Sequence, residues 1–195
     1  MREVSRALVS LLEVVSLMRL EMGQGLESGE WGFRLIGQEE VEGEACKVVK
    51  LLPSYAGPGE FWLRQDGSVM RAEVEGEEVP PGRAEYALEN YLGPFVAYYD
   101  ILHSEPLQKR EKLDKSAGKV KRLGKKKFKL GNVKLEAEGY RYSPAVGAPA
   151  SHPVLKAEFW VARIEYLDLL VSYEAEMWVE PRKFWIKLKE IKPKL

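Results

Sequence analysis

Asp66-Gly67 stands between Phe61-Trp62-Leu63-Arg64 and Ser68-Val69-Met70-Arg71-Ala72-Glu73-Val74. The dipeptide tolerates the positive φ that a two-residue type I′ turn demands of its central residues. Alternating side chains on both sides of such a turn predict an antiparallel hairpin, because a period of two places successive residues on opposite faces. The same punctuation recurs at Glu42-Gly43, between 38–41 and 45–51, and at Gly131-Asn132, between 125–130 and 132–138. Three longer alternating runs follow at 155–164, 168–179 and 183–191, for nine or ten expected strands in all.

Helical spacing is confined to two places. Val4, Leu8, Leu11, Leu12, Val15 and Met18 recur at i, i+3, i+4 and i+7, which predicts a helix over 1–22 that ends at Gly23 and Gly25. A second helical region is expected over 84–103, with Pro94 opening its second piece. At 195 residues the chain is read as a single domain, 1–195. Its expected parts are the helix 1–22, a strand block 31–79, the helical block 84–103, a basic connection 109–124 and a strand block 125–191. Strand blocks around a helical middle predict an α+β class. The expected form is a large curved antiparallel sheet, a half-barrel or open barrel, with the N-terminal helix and the central helical segment packed against it.

Chemistry is sparse. Cys46 is the only cysteine, so this chain alone builds neither a disulfide nor a multi-cysteine metal site, and its apolar neighbours favour a buried thiol. His103 and His152 are the only histidines; the first is expected near a helix end and the second in a proline-rich loop over 140–153. No nucleophile motif, metal-ligand spacing or phosphate-cradling loop is present, so no catalytic residue, metal or cofactor is expected. The apolar stretch 7–20 is interrupted by Glu13 and Arg19 and is too short to span a bilayer. It is also not followed by a small-residue cleavage site. The expected location is the cytoplasm. Abundant Glu and Lys, the lack of threonine and only two asparagines resemble a thermophilic bias.

The formal charge of zero conceals a separation. Residues 39–89 carry twelve acidic and five basic groups, and 109–134 carry twelve basic and two acidic. Within the second stretch, Lys119, Lys121, Arg122, Lys125, Lys126 and Lys127 are candidates for contact with an anionic membrane surface. The bland alternative is a solvated lysine-rich strand edge. Phe128 is the one aromatic among them, which argues against a single-stranded nucleic acid platform.

Large aromatics fall on expected strands throughout. Adjacent pairs such as Phe61-Trp62 put bulk on both sheet faces. One set can meet the helices, and the other can line a cavity, bury itself in a dimer or be ordinary core. Trp31, Trp62, Trp160 and Trp185 are the candidate ligand-lining residues. The stretches Trp31-Gly32-Phe33-Arg34-Leu35-Ile36-Gly37, Glu40-Val41-Glu42-Gly43-Glu44-Ala45-Cys46-Lys47-Val48 and Phe61-Trp62-Leu63-Arg64-Gln65-Asp66-Gly67 resemble the LolA-like half-barrel carriers of lipids and lipoproteins. That resemblance implies an open barrel, closed by helices, that holds acyl chains. The expected function is a non-enzymatic binding protein for an apolar or lipid-like ligand, and the alternative is a homodimeric interaction module without a small ligand.

Overall fold

The computed structural model describes residues 1–145 and 154–194, and the expected loop around His152 lies outside them. Helix α1 (Arg2–Val14) is followed by β1 (Val15–Gln24), β2 (Glu27–Val41), β3 (Glu44–Leu51), β4 (Gly59–Leu63), β5 (Val69–Val74) and the short β6 (Glu77–Glu78). A 3₁₀ turn at Pro81–Arg83 leads into α2 (Ala84–Leu102) and α3 (Glu105–Gln108). The second run of strands is β7 (Gly118–Leu130), β8 (Val133–Pro144), β9 (Val154–Ile164), β10 (Leu167–Met177) and β11 (Lys183–Pro193). Among the described residues the strands are hydrogen-bonded in the order β6-β5-β4-β3-β2-β1-β11-β10-β9-β8-β7. The class is α+β, with a large antiparallel sheet, an N-terminal helix and a central helical segment, as the alternation implied.

Three expected boundaries shift, each for a local reason. The first helix stops at Val14, not near residue 22, and Val15 is already extended at φ −130 and ψ 127. The Val14 carbonyl, which a longer helix would bond to Met18, instead accepts from the Lys194 N–H at 2.8 Å. A short apolar run fits either period, and here strand pairing decides. Residues 118–124, expected within a basic connection, form the first half of β7, where Lys119 pairs with Ser143 and Lys121 with Arg141. The scarcity of apolar residues that suggested a connection reflects a solvated edge strand. Likewise 140–144, expected in a loop, complete β8.

Pro94 lies inside α2. Proline has no N–H to offer the carbonyl four residues back, that of Asn90. The Tyr55 hydroxyl takes over that role, donating to Asn90 O at 3.0 Å.

The chain divides into two compact units. Unit 1 comprises Met1–Leu20, Glu30–Tyr99 and Glu190–Leu195. In it Phe33 pairs with Leu51, Val49 with Phe61 and Phe61 with Ala72, so these residues share one sheet face and are fully buried. Helix α2 packs on that face: Phe95 stacks on Trp31 at 5.2 Å, and Tyr91 meets Phe61 edge-on at 5.4 Å. The opposite face carries a smaller cluster of Cys46, Val48 and Trp62. Arg71 lies over the Trp62 ring at 4.7 Å. Burial pushes the Cys46 thiol pKa up, as suits a packing residue and not a thiolate nucleophile.

Lys47 sits on the helix-covered face beside Val49 and is joined to Glu13 of α1 at 2.7 Å, with side-chain exposures of 7% for Lys47 and 39% for Glu13. The two partners are therefore unequal. Loss of the carboxylate strands a buried ammonium, whereas loss of the ammonium leaves a carboxylate in reach of water. Glu13→Gln is expected to lower unfolding free energy by about 1–3 kcal/mol, and Lys47→Met by less, in urea titrations at neutral pH. The hydrogen bond from Lys47 holds the Glu13 carboxyl below its ordinary value of 4.5, against the opposing effect of burial. A depressed carboxylate stabilises the fold above its unfolded-state pKa and loses that contribution as pH falls through the folded value. The wild type is thus expected to lose more stability than Glu13→Gln as pH drops below about 4.5.

Candidate functional site

Unit 2 comprises Glu21–Gly29 and Asp100–Lys189. Its ladders align Tyr142 with Ala157, Ala157 with Ala175, Tyr140 with Phe159, Phe159 with Tyr173, and Tyr173 with Ile186. These residues consequently share one face, and all are buried. Ala157 sits among tyrosines and a phenylalanine, and that difference in size leaves space. Ile101 and Leu107, from the end of α2 and from α3, lie over it. The result is a cavity of about 260 Å³ whose walls include Ile101, Leu107, Tyr142, Val154, Ala157, Phe159 and Tyr173, with Asp100 and Ser104 also present.

The polar atoms of the lining are largely occupied. The Ser104 hydroxyl donates to Ile101 O at 2.6 Å, and the Tyr142 hydroxyl to Ala117 O at 3.0 Å. Burial, with a smaller effect from Tyr142, pushes the Tyr173 phenol up to about 12. Asp100 is exposed. The walls thus offer an apolar group a largely apolar surface and, among the described residues, hold no histidine, cysteine or lysine. Such a lining can bind an apolar group.

A polar network pins the cavity wall. Arg110 donates to Leu107 O at 2.7 Å, pairs with Asp168 at 3.3 Å, and lies over the Tyr140 ring at 5.5 Å. Tyr140 donates to Glu138 at 2.7 Å. That hydrogen bond, followed by those from Arg122, holds the Glu138 carboxyl below its usual range despite burial. Tyr140 in turn stacks on Phe159 at 5.5 Å. The network therefore connects α3, which carries Leu107, to the strands that carry the cavity's aromatic wall.

The four tryptophans expected to line a ligand site are not gathered around this cavity. In unit 1, Trp31 is 1% exposed and donates to Tyr91 O at 2.7 Å beneath α2. Trp62 points to the opposite face and donates to Glu39 at 2.7 Å. In unit 2, Trp160 and Trp185 share a face, but it is the face turned away from the cavity. Each lies over a glycine of another strand. A β-carbon at Gly139 would stand 2.5 Å from the Trp160 ring, and one at Gly23 the same distance from the Trp185 ring. Lys126 lies 5.7 Å above Trp160 and Lys187 lies 5.5 Å above Trp185. Ion pairs Arg141–Glu158, Lys156–Glu176 and Lys187–Glu174 lie on that face and, with Trp185, line a charged pocket of about 390 Å³.

The basic residues expected at a membrane surface are divided by the same alternation. Lys119, Lys121 and Lys126 fall on the Trp160 face, while Arg122, Lys125 and Lys127 fall on the other. Arg122 pairs with Glu138, and Lys125 with Glu136 at 2.9 Å. The cavity residues that sequence reasoning missed are Tyr142, Tyr173, Ile101 and Leu107. Tyr140-x-Tyr142 carries a period-two signal that could have marked a strand, but the prolines after it suggested a loop.

No family model and no curated relative matches the chain. Among solved structures it is similar to the Pseudomonas aeruginosa MucA/MucB complex, with a TM-score of 0.43 and 11% identity over 100% of this chain and 54% of that one. The chain thus spans about half the length of that relative. It is also similar to a protein with a YmcC-like fold from Bacteroides fragilis, with a TM-score of 0.36 and 7% identity over 90% of this chain and 94% of that one. A Vibrio parahaemolyticus domain assigned to outer membrane lipoprotein sorting gives a TM-score of 0.23 and 11% identity over 98% and 92% of the two chains. At these values the likeness transfers no site residue.

The buried Tyr173 phenol offers a direct check on the cavity. A tyrosine whose folded pKa is raised from 10.0 to about 12 contributes full stability below pH 10 and loses it as pH rises through the folded value. Wild-type stability is expected to fall between about pH 10 and pH 12, by on the order of 2 kcal/mol. Tyr173→Phe should flatten that alkaline limb in denaturant titrations run at stepped pH.

Proposed function

We propose that the chain is a binding protein that takes an apolar group, such as a segment of an acyl or isoprenoid chain, into the cavity of unit 2. The observation that carries this reading is the lining itself: aliphatic and aromatic side chains around the small Ala157, with the hydroxyls of Ser104 and Tyr142 engaged in hydrogen bonds. At about 260 Å³ the space falls just below the range of roughly 300–1,000 Å³ usual for drug-sized ligands. It fits part of a chain, not a whole lipid.

Binding in such a site is driven by removing apolar surface from water, at about 25 cal/mol per Å². Little directional selectivity is expected, because the lining offers few free donors or acceptors. Chain length and thickness should therefore matter more than headgroup chemistry.

Calorimetric titration of delipidated protein with saturated fatty acids and isoprenols of graded length tests this reading. The expected result is saturable binding with a negative heat-capacity change, weakened at least about tenfold by Ala157→Leu, which fills the cavity. Absence of binding across the panel, or unchanged affinity in a folded Ala157→Leu variant, would sink it.

A further inference from the structure

Unit 2 also exposes large apolar side chains at the tips of two hairpins. Leu26, in the turn after β1, is 105% exposed, and Trp178 and Val179, beyond β10, are 65% and 62% exposed. The tips meet each other: Gly25 N–H donates to Lys183 O at 2.9 Å, and a β-carbon at Gly25 would lie 3.5 Å from Pro181. Stray surface leucines need no explanation, but three exposed apolar residues on adjoining tips mark a contact surface.

We propose that these tips dock the protein on a lipid bilayer by shallow insertion of Leu26, Trp178 and Val179. Size argues against a protein partner, since three side chains present at most ~600 Å², short of the ~800 Å² per partner in stable complexes. The chemistry fits an interface, where tryptophan is favoured between water and hydrocarbon. Position adds a reason that rests on the cavity reading. Val154, in the cavity wall, is the register partner of Met177, whose next residue is Trp178. The apolar tip and the apolar cavity thus lie at the same end of the β9–β10 ladder, as they would in a protein that draws its ligand from a membrane. Charge near the tip is balanced: Arg182 pairs with Glu180, and Lys156 with Glu176. Docking should therefore not require anionic lipid.

Flotation of the full chain with neutral phosphatidylcholine vesicles, and with vesicles containing phosphatidylglycerol, tests the proposal. Comparable binding to both is expected, little changed by salt, with a blue shift of tryptophan emission. The double variant Trp178→Asp/Val179→Asp and the single variant Leu26→Asp should each reduce binding at least about tenfold without altering the melting temperature. Binding only to anionic vesicles, equal flotation of the tip variants, no flotation at all, or a concentration-dependent dimer that the tip variants abolish would each overturn it. Ala157→Leu separates the two readings: it should float like the wild type while losing fatty-acid uptake, and the tip variants should take up soluble fatty acid normally.

Discussion

The cavity of unit 2 depends on the register that sets Ala157 opposite Tyr142 on one side and Ala175 on the other. A slip of one residue would carry every side chain of β9 to the other face. Phe159 would then leave the buried face and Trp160 would enter it, so the small Ala157 would no longer stand among tyrosines. The register is held by pairs that make sense only as observed. Tyr140 stacks on Phe159, and on the reverse face Trp160 lies over Gly139, which has no β-carbon to block it. Each face thus enforces the other.

The polar face of the same ladder shows a structural duty for its tryptophans. Trp160 and Trp185 are flanked by lysines and cross-strand ion pairs, and each covers the bare backbone of a glycine. Aromatic cover of a strand glycine restores the side-chain packing that the glycine lacks. In unit 1 Trp31 has a comparable structural duty, since its indole N–H satisfies a carbonyl of α2 while its ring stacks on Phe95. The bulk of these tryptophans thus holds elements together, and the cavity arises beside the small Ala157.

Charge is handled locally in each unit. Within unit 1 Arg64 pairs with Glu44 and Lys50 with Glu60; within unit 2 Arg122 and Lys125 pair with glutamates of the neighbouring β8. Exposed pairs of this kind contribute little stability each, about 0–1 kcal/mol. They keep a lysine-rich edge strand soluble and hinder pairing with another sheet edge. Lys47 and Glu13 differ because the lysine is buried, which makes that pair a fastening between α1 and the sheet.

Much of the fold was legible from local chemistry alone. Glu42 and Gly43 both adopt positive φ, whereas at the expected type I′ turn Asp66-Gly67 only Gly67 does, because Arg64 pairs with Ser68 and the loop holds three residues; the alternation at 155–164 and 168–179 matches β9 and β10 to within two residues. Glycine-containing turns and period-two patterns are properties of a few adjacent residues, so the sequence by itself determined the antiparallel class, the hairpins and the presence of a helical middle. The end of α1, the strand character of 118–124 and the membership of the cavity were decided by tertiary structure. The Val14 carbonyl takes its hydrogen bond from Lys194, far along the chain. Tyr142, Phe159, Tyr173 and Leu107 converge only once register and helix placement are set. A linear pattern says which residues share a strand face; which partner covers that face depends on contacts between distant segments.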